Sequence, residues 1–311
     1  MDISVVVPLY NEAESLPELT EWIERVMNAN GFSYEILFIN DGSTDDSPAV
    51  IKRLAESNPA IHLVSFARNY GKSPALDTGF RRAKGDVVIT MDADLQDDID
   101  AVDAMVDKYY EGCDVVYGVR SSRKNDSFFK RFTAEGFYRV MNALGAETVF
   151  NHADYRLLSR RALEGLAAFK EVNLFLRGIV PLVGYPSAAV EYERGERFAG
   201  ESKYPLKKML SFAMEGITSL SVKPIRYITA LGFLIFFISI LMLIYSIVRW
   251  AHGETVLGWA SVICSVWAIG GLILLSLGVI GEYIGKIYLE TKGRPRFLIR
   301  EVLEDEHGQT N

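Results

Sequence analysis

Two stretches of this chain contain no charged residue: residues 227–248 and residues 255–281. A helix of about 20 residues, rising 1.5 Å per residue, crosses the ~30 Å hydrocarbon core of a bilayer, and both stretches are long enough. Neither has a polar face, which argues against two helices buried in a soluble core. Lipid offers no partner to backbone N–H and C=O groups, so both are expected to be helices that satisfy themselves. Only Arg249-Trp250-Ala251-His252-Gly253-Glu254 separates them, which makes a tight hairpin. A hydrophobic content of 49% and a mean hydropathy of +0.12 agree with a membrane part. Lys203, Lys207, Lys208, Lys223 and Arg226 precede the first span, and Lys286, Lys292, Arg294, Arg296 and Arg300 follow the second. The positive-inside rule then puts both chain ends in the cytoplasm, at an inner or plasma membrane.

The rest of the chain must be compatible with that anchor. Its net charge of −7 speaks against a nucleic-acid partner. The two cysteines, Cys113 and Cys264, lie far apart without metal-ligand spacing, which suits a reducing compartment. Met1-Asp2-Ile3-Ser4 has no basic n-region, so a cleavable signal peptide is not expected.

Before the spans, apolar runs alternate with helical patterns. Strands are expected at residues 3–8, 35–39, 61–66, 87–91 and 114–118. Helices are expected at 15–30, at 47–57, after Arg68-Asn69-Tyr70-Gly71-Lys72 to Ala83, and at 99–110. Ser15 is placed to cap the first helix, with Pro17 in its first turn and Gly31 just past its end. This is an α/β pattern, a doubly wound and mostly parallel sheet whose ligand-binding loops gather at the strand C-termini. Glu12, Asp41, Arg68, Asp92 and Asp94 would converge there. Any single polar turn is ordinary; four consecutive strands ending in carboxylates or a guanidinium are harder to dismiss.

The fourth strand is the most informative. Val87-Val88-Ile89-Thr90-Met91 runs straight into Asp92-Ala93-Asp94. Residues two apart in extended chain share a face, so both carboxylates can reach one hard cation. An acidic turn closing a buried strand would be the better reading of that pair in isolation. Neither Gly-x-Gly-x-x-Gly nor Gly-x-x-x-x-Gly-Lys-Ser/Thr occurs, so a bound nucleotide would need a metal to hold its diphosphate. Between this domain and the spans, Leu206, Met209, Leu210, Ala213, Met214, Ile217 and Leu220 recur at helical spacing. That helix could lie in the membrane interface or pack against protein.

Four motifs in this order carry a family resemblance: Val5-Val6-Val7-Pro8-Leu9-Tyr10-Asn11-Glu12, Asn40-Asp41-Gly42-Ser43-Thr44-Asp45, Arg68-Asn69-Tyr70-Gly71-Lys72 and Met91-Asp92-Ala93-Asp94-Leu95-Gln96-Asp97. The chain resembles family 2 glycosyltransferases with the GT-A fold. More narrowly, it resembles the polyprenyl-phosphate branch related to dolichol-phosphate mannose synthase. Gly281-Glu282-Tyr283-Ile284-Gly285-Lys286-Ile287-Tyr288 and Lys292-Gly293-Arg294-Pro295 are similar to its bactoprenol glucosyltransferase-like subgroup with two C-terminal spans. The likeness runs to about Phe297; the tail from Ile299 is uninformative. The division implied is a cytoplasmic GT-A domain at 1–204, a juxtamembrane amphipathic helix at 205–226, spans at 227–248 and 255–281, and a cytoplasmic tail at 282–311.

The resemblance also implies roles. Pro8, Tyr10, Glu12, Asp41, Lys72 and Asp92 match donor-nucleotide positions, and many relatives have Asp where this chain has Asn40. Asp92, Asp94 and Gln96 match a site for Mg²⁺ or Mn²⁺ bridging the diphosphate. Arg120, Arg131, Arg197, Ser202 and Lys203 match the acceptor-phosphate side, where guanidinium forks suit the ligand; Arg123 and Lys130 could equally be a solvated basic face. Asp154, Asp94 and Arg131 are the catalytic candidates, with Asp154 either a base or an orienting group. The implied partners are a nucleotide-sugar donor, an undecaprenyl or other polyprenyl phosphate, the bilayer, and further copies of the chain in a homo-oligomer such as a tetramer. Glucose ranks first among the sugars, ahead of galactose, N-acetylglucosamine, mannose or a modified pentose. Processive relatives carry Gln-x-x-Arg-Trp, whereas here Arg249-Trp250 stands without the Gln, so single transfer is expected. A non-catalytic scaffold and a nucleotidyltransferase are the rivals from other classes.

Overall fold

Along the first strand, β1 (Ile3–Leu9), every residue is buried, as a strand covered on both faces requires. Ile3, Val5, Val7 and Leu9 point into one core and Val6 into another. The structure, a computed structural model, describes residues 1–120, 152–171, 175–193, 217–218, 221–252 and 258–303. After β1 come α1 (Leu16–Asn30), β2 (Tyr34–Asn40), α2 (Ser47–Ser57), β3 (Ile61–Phe66), α3 (Lys72–Arg82), β4 (Val87–Thr90), α4 (Ala101–Tyr110) and β5 (Val115–Arg120). Then follow β6 (His152–Ser159), α5 (Arg160–Ala167), α6 (Leu176–Leu182), β7 (Ser187–Tyr192), α7 (Lys223–Ala251), α8 (Trp259–Lys292) and β8 (Ile299–Leu303). These elements form two units, one with the eight strands and α1–α6, the other with α7 and α8.

In the first unit the strands form one sheet in the order β7-β5-β6-β4-β1-β2-β3-β8. β4, β1, β2 and β3 are mutually parallel, β5 pairs with β7 in parallel, and β6 and β8 run antiparallel to their neighbours. The α/β, mostly parallel expectation holds, with two reversed strands added. Helices α1, α2 and α4 contribute Leu16, Ile23, Ile51 and Val102 to one core. Helices α3, α5 and α6 contribute Leu76, Phe80, Leu163 and Ile179 to the other. Each such side chain taken fully out of water contributes about 1.5–3 kcal/mol.

Local chemistry sets the element ends. Pro17 sits in the first turn of α1, and Gly31 closes it in the left-handed region at φ 69°. Ser15 precedes α1 as expected, but its hydroxyl donates to the Glu12 carbonyl instead of accepting from a helix N–H.

In the second unit both helices are long and apolar enough to cross a membrane. α7 starts at Lys223 and α8 continues to Lys292, so each is longer than its charge-free run. Large apolar side chains face outward along both, Leu241 and Leu274 among them. The Tyr283 hydroxyl donates to the Ser221 carbonyl at 2.5 Å. Of the expected juxtamembrane helix, Ile217 and Thr218 are helical and buried; most of the rest lies outside the described residues.

Candidate active site

Four parallel strands bring their C-terminal ends to one edge, where their loops lace together. Asn11, at φ 57°, donates its N–H to Ser43 Oγ at 2.9 Å, and its Oδ1 accepts from the Thr44 N–H at 2.8 Å. The Glu12 N–H donates to Ser47 Oγ and the Ala13 N–H to Asp45 Oδ2. Asn11, Glu12, Ser15, Asp45, Asp46 and Asp94 line a cleft of about 470 Å³. Pro8 is buried inside β1, while Tyr10 is 44% exposed at the edge.

Asn40 ties two neighbouring segments together. Its amide donates to Ser65 Oγ at 3.1 Å, and its Oδ1 accepts from the Ser43 N–H at 2.9 Å. One amide thus supplies a donor to β3 and an acceptor to the loop after β2. Asp41 is buried, and its two oxygens accept from the Tyr70 N–H at 2.7 Å and the Gly71 N–H at 2.8 Å. Burial raises its carboxyl above the ordinary range, against the pull of those two hydrogen bonds. Gly42 stands at φ 72°, and a Cβ there would lie 2.4 Å from the Arg68 carbonyl carbon. Only glycine allows the two loops to come that close.

The Asp92 turn is strained. Leu95, a bulky buried residue, adopts φ 59°, a conformation that costs free energy unless its surroundings enforce it. The Gln96 N–H donates to Asp94 Oδ1, and the Asp92 N–H to Asp97 Oδ2, both at 3.3 Å. Asp97 is buried and accepts at 2.7 Å from the hydroxyl of Tyr192, the last residue of β7. Burial, then the neighbouring charge of Asp92, pushes its carboxyl upward.

Opposite this turn lies the end of β6. That strand runs antiparallel to β4 with Arg156 facing Thr90, so Asp154, two residues earlier, reaches the same edge. The Thr90 hydroxyl donates to the Asp154 carbonyl. Three cations surround the Asp154 carboxylate. Lys72 Nζ is 2.7 Å from Oδ2, Arg156 Nη2 is 2.9 Å from Oδ1, and Arg177 forks onto both oxygens at 3.0 and 2.9 Å. Burial alone would raise this carboxyl, but Lys72, Arg177 and Arg156 together hold it well below the ordinary range. Lys72 also contacts Asp92 Oδ1, so one ammonium joins the two carboxylates. Burial lowers Lys72, and Asp92 and Asp154 more than reverse that. Arg156 is 1% exposed, and its Nε and Nη1 find no partner among the described residues.

Among the described residues no three His, Cys, Asp or Glu side chains form a ready cage for a metal. Asp92 and Asp94 do fit an ion shared with substrate phosphate, since Mg²⁺ is commonly held by one or two carboxylates plus phosphate oxygens and water. An ammonium drawn onto Asp92 shows that positive charge is favoured there. The Gln96 side chain is buried beside them. Arg120 ends β5 and only its backbone is described; Arg123, Lys130, Arg131, Arg197, Ser202 and Lys203 lie outside the described residues. Arg156, Arg177, Asp97 and Tyr192 were not among the site residues expected from the sequence. Arg156 had a signal, because strand alternation puts it on the same face as Asp154. Arg177 had a weaker one, a lone charge inside the apolar run Phe175-Leu176-Arg177-Gly178-Ile179-Val180.

Residues 4–166, more than half of the chain, match the family described as glycosyl transferase family 2. The chain belongs to that family. This family 2 glycosyltransferase is 50% identical over 305 residues to an uncharacterized glycosyltransferase, YkoT, of Bacillus subtilis (strain 168), covering 96% of this chain and 90% of YkoT. It is 43% identical over 305 residues to the bactoprenol glucosyl transferase of Shigella phage SfX, covering 96% and 99% respectively. A mycobacterial protein of known crystal structure shares the fold at a TM-score of 0.50 and 20% identity, over 70% of this chain and 72% of that one.

Proposed function

We propose that this glycosyltransferase moves one sugar, glucose first among the candidates, from a UDP-linked donor to undecaprenyl or another polyprenyl phosphate, with inversion at the anomeric carbon. The observation that carries the reading is the Lys72 bridge. One ammonium joins Asp92, on the carboxylate-rich side of the edge, to Asp154, which holds two guanidinium groups. A polyanionic donor would find complementary charge through a cation held on the Asp92 side, and an anionic acceptor through the partly exposed Arg177 beside Asp154. The phage SfX relative supports a lipid acceptor by its name, and two helices able to cross a bilayer would keep the site at a lipid surface.

On the donor side, Tyr10 is exposed for stacking on the base, and Pro8, Glu12 and Asp41 frame the nucleoside. Asp92, Asp94 and Gln96 would hold Mg²⁺ or Mn²⁺, which when bound offsets charge on the departing diphosphate. On the acceptor side, Arg177 is partly exposed and can fork onto a phosphate. Arg120, Arg131, Arg197, Ser202 and Lys203 are assigned to the same phosphate. An oxygen of the lipid phosphate forms the new bond to the anomeric carbon. The bond from that carbon to the nucleoside diphosphate breaks, and its electron pair leaves with the diphosphate. Holding both reactants in line removes much of the entropic cost of their encounter. A lipid monophosphate with its second pKa near ~6 is mostly dianionic at neutral pH, so the attack needs no base. Asp154, held far below the ordinary range, is a poor base and a good counter-ion; its role is to orient Lys72 and Arg177.

The test is to offer the purified full chain a panel of radiolabelled nucleotide sugars with undecaprenyl phosphate and a divalent metal. Label from UDP-glucose entering the lipid phase is the expected result. Label from another donor would change the sugar. Pyrophosphate release, or no lipid label from any donor, would overturn the proposal.

A further inference from the structure

The segment after α8 does more than end the chain. Gly293 closes α8, and by Ile299 the chain has become β8, an eighth strand antiparallel to β3. Covering an open edge is a common use of such a strand. Here the register shifts between Ser65 and Phe66, and the Ala67 N–H donates to the Leu298 carbonyl at 2.9 Å. The pairing thereby extends past β3 to the foot of the loop that carries residues 68–72.

Two side chains just before β8 reach the end of β3, where that loop begins, and the helix that follows it. The Phe297 ring stacks on Phe66, centroids 4.8 Å apart and planes at 18°. Phe66 meets Tyr70 edge-on at 5.8 Å, and the Arg68 guanidinium lies 4.8 Å over the Tyr70 ring. Tyr70 and Gly71 are the residues whose N–H groups the Asp41 carboxylate holds. The Arg296 guanidinium donates to Asp77 Oδ2 at 3.0 Å, with both side chains largely buried. Asp77 lies on α3, the helix that begins with Lys72. The loop is therefore clamped between Asp41 on one side and the post-membrane segment on the other.

We propose that Arg296 and Phe297 are positioning residues for the donor half of the site, acting through the Phe66–Tyr70 stack and Asp77 to set the loop that carries Gly71 and Lys72. The proposal rests on the donor assignment made above. A strand that only covered an edge would need no aromatic relay into a ligand loop, and no buried ion pair to the helix bearing Lys72.

The experiment compares the full chain in detergent with its Phe297→Ala, Phe297→Tyr, Arg296→Gln and Val302→Ala variants. UDP binding with Mn²⁺ is measured by calorimetry, transfer from UDP-glucose to undecaprenyl phosphate by steady-state kinetics, and folding by thermal unfolding. Phe297→Ala and Arg296→Gln should each raise the UDP Kd and the donor KM roughly three- to tenfold. The acceptor KM and the kcat should stay within about twofold. Phe297→Tyr keeps the stack and should restore donor binding. Val302→Ala, in the exposed part of β8, should leave donor binding unchanged although it weakens the same strand. If Phe297→Ala does not fold, Arg296→Gln against Val302→Ala decides the matter. A folded Phe297→Ala or Arg296→Gln chain with unchanged UDP Kd overturns the inference alone, as does an equal rise in both KM values. An unaltered chain that binds no UDP overturns the donor assignment, and the inference with it.

Discussion

The two sides of the active-site edge are built on opposite principles. The proposed donor side comes from parallel β1, β2 and β4, each followed by a loop of carboxylates and backbone amides. The other side comes from antiparallel β6 and helix α6, and consists of one carboxylate buried among three cations. The first side, the proposed donor side, presents negative charge that a bound cation would complete. The Asp154 side carries more cation than carboxylate, held together inside the protein. The two kinds of acidic residue are not equivalent: Asp92 and Asp94 are half-buried at a turn and are proposed as metal ligands, whereas Asp154 is buried and paired with Lys72, Arg156 and Arg177.

Breaking the donor side should have the largest effect on transfer. Asp94→Ala is expected to lower transfer on the order of a hundredfold or more, with the unfolding midpoint nearly unchanged because Asp94 is not deeply buried. Transfer assays alongside thermal unfolding check this, and undiminished transfer would remove Asp94 from the metal site. On the opposite side, Asp154→Asn should cost about 3–5 kcal/mol in stability, since it leaves the Arg156 guanidinium buried without its counter-charge. Denaturant unfolding reads that loss. The pH dependence has a definite sign. The folded-state pKa of Asp154 is depressed, so its stabilisation is present above the unfolded value of about 3.9 and is lost as pH falls through the folded value. Acid unfolding of the unaltered chain should include this loss and that of Asp154→Asn should not, while between pH 5 and 8 Asp154 contributes no slope.

Smaller changes sharpen the contrast. Arg177→Lys keeps a charge but loses the fork onto both Asp154 oxygens. It should raise the KM for polyprenyl phosphate about tenfold and leave the donor KM alone; an equal rise in both would place Arg177 on the donor side. Chelation with EDTA should abolish donor binding while shifting the unfolding midpoint little, because no carboxylate cage among the described residues depends on a metal to fold. Least of all, Lys52→Ala removes an exposed ion pair to Glu301 and should change stability by less than about 1 kcal/mol.

Much of this was legible before any coordinates. The run from Val87 into Asp92-Ala93-Asp94 announced a strand with an acidic end, because apolar continuity and terminal polarity are local properties. α2 and β3 lie at their expected bounds for the same reason. Arg177 was not legible as part of the site, since nothing local ties residue 177 to residue 154. β8 was missed because Ile299–Leu303 is a short mixed strand with a largely exposed pattern; only an available edge at β3 makes it one.

The sequence by itself determined the α/β alternation, the acidic strand ends and two helices able to cross a bilayer, all consequences of periodicity and of the cost of placing charge or unpaired backbone in an apolar medium. Tertiary structure decided which charges meet. It reversed β6 so that Asp154 faces the Asp92 turn, and surrounded it with Lys72, Arg156 and Arg177, which hold its carboxyl well below the ordinary range. A pKa depends on the distances to other charges and on burial, and those exist only once segments far apart in the chain have been folded together.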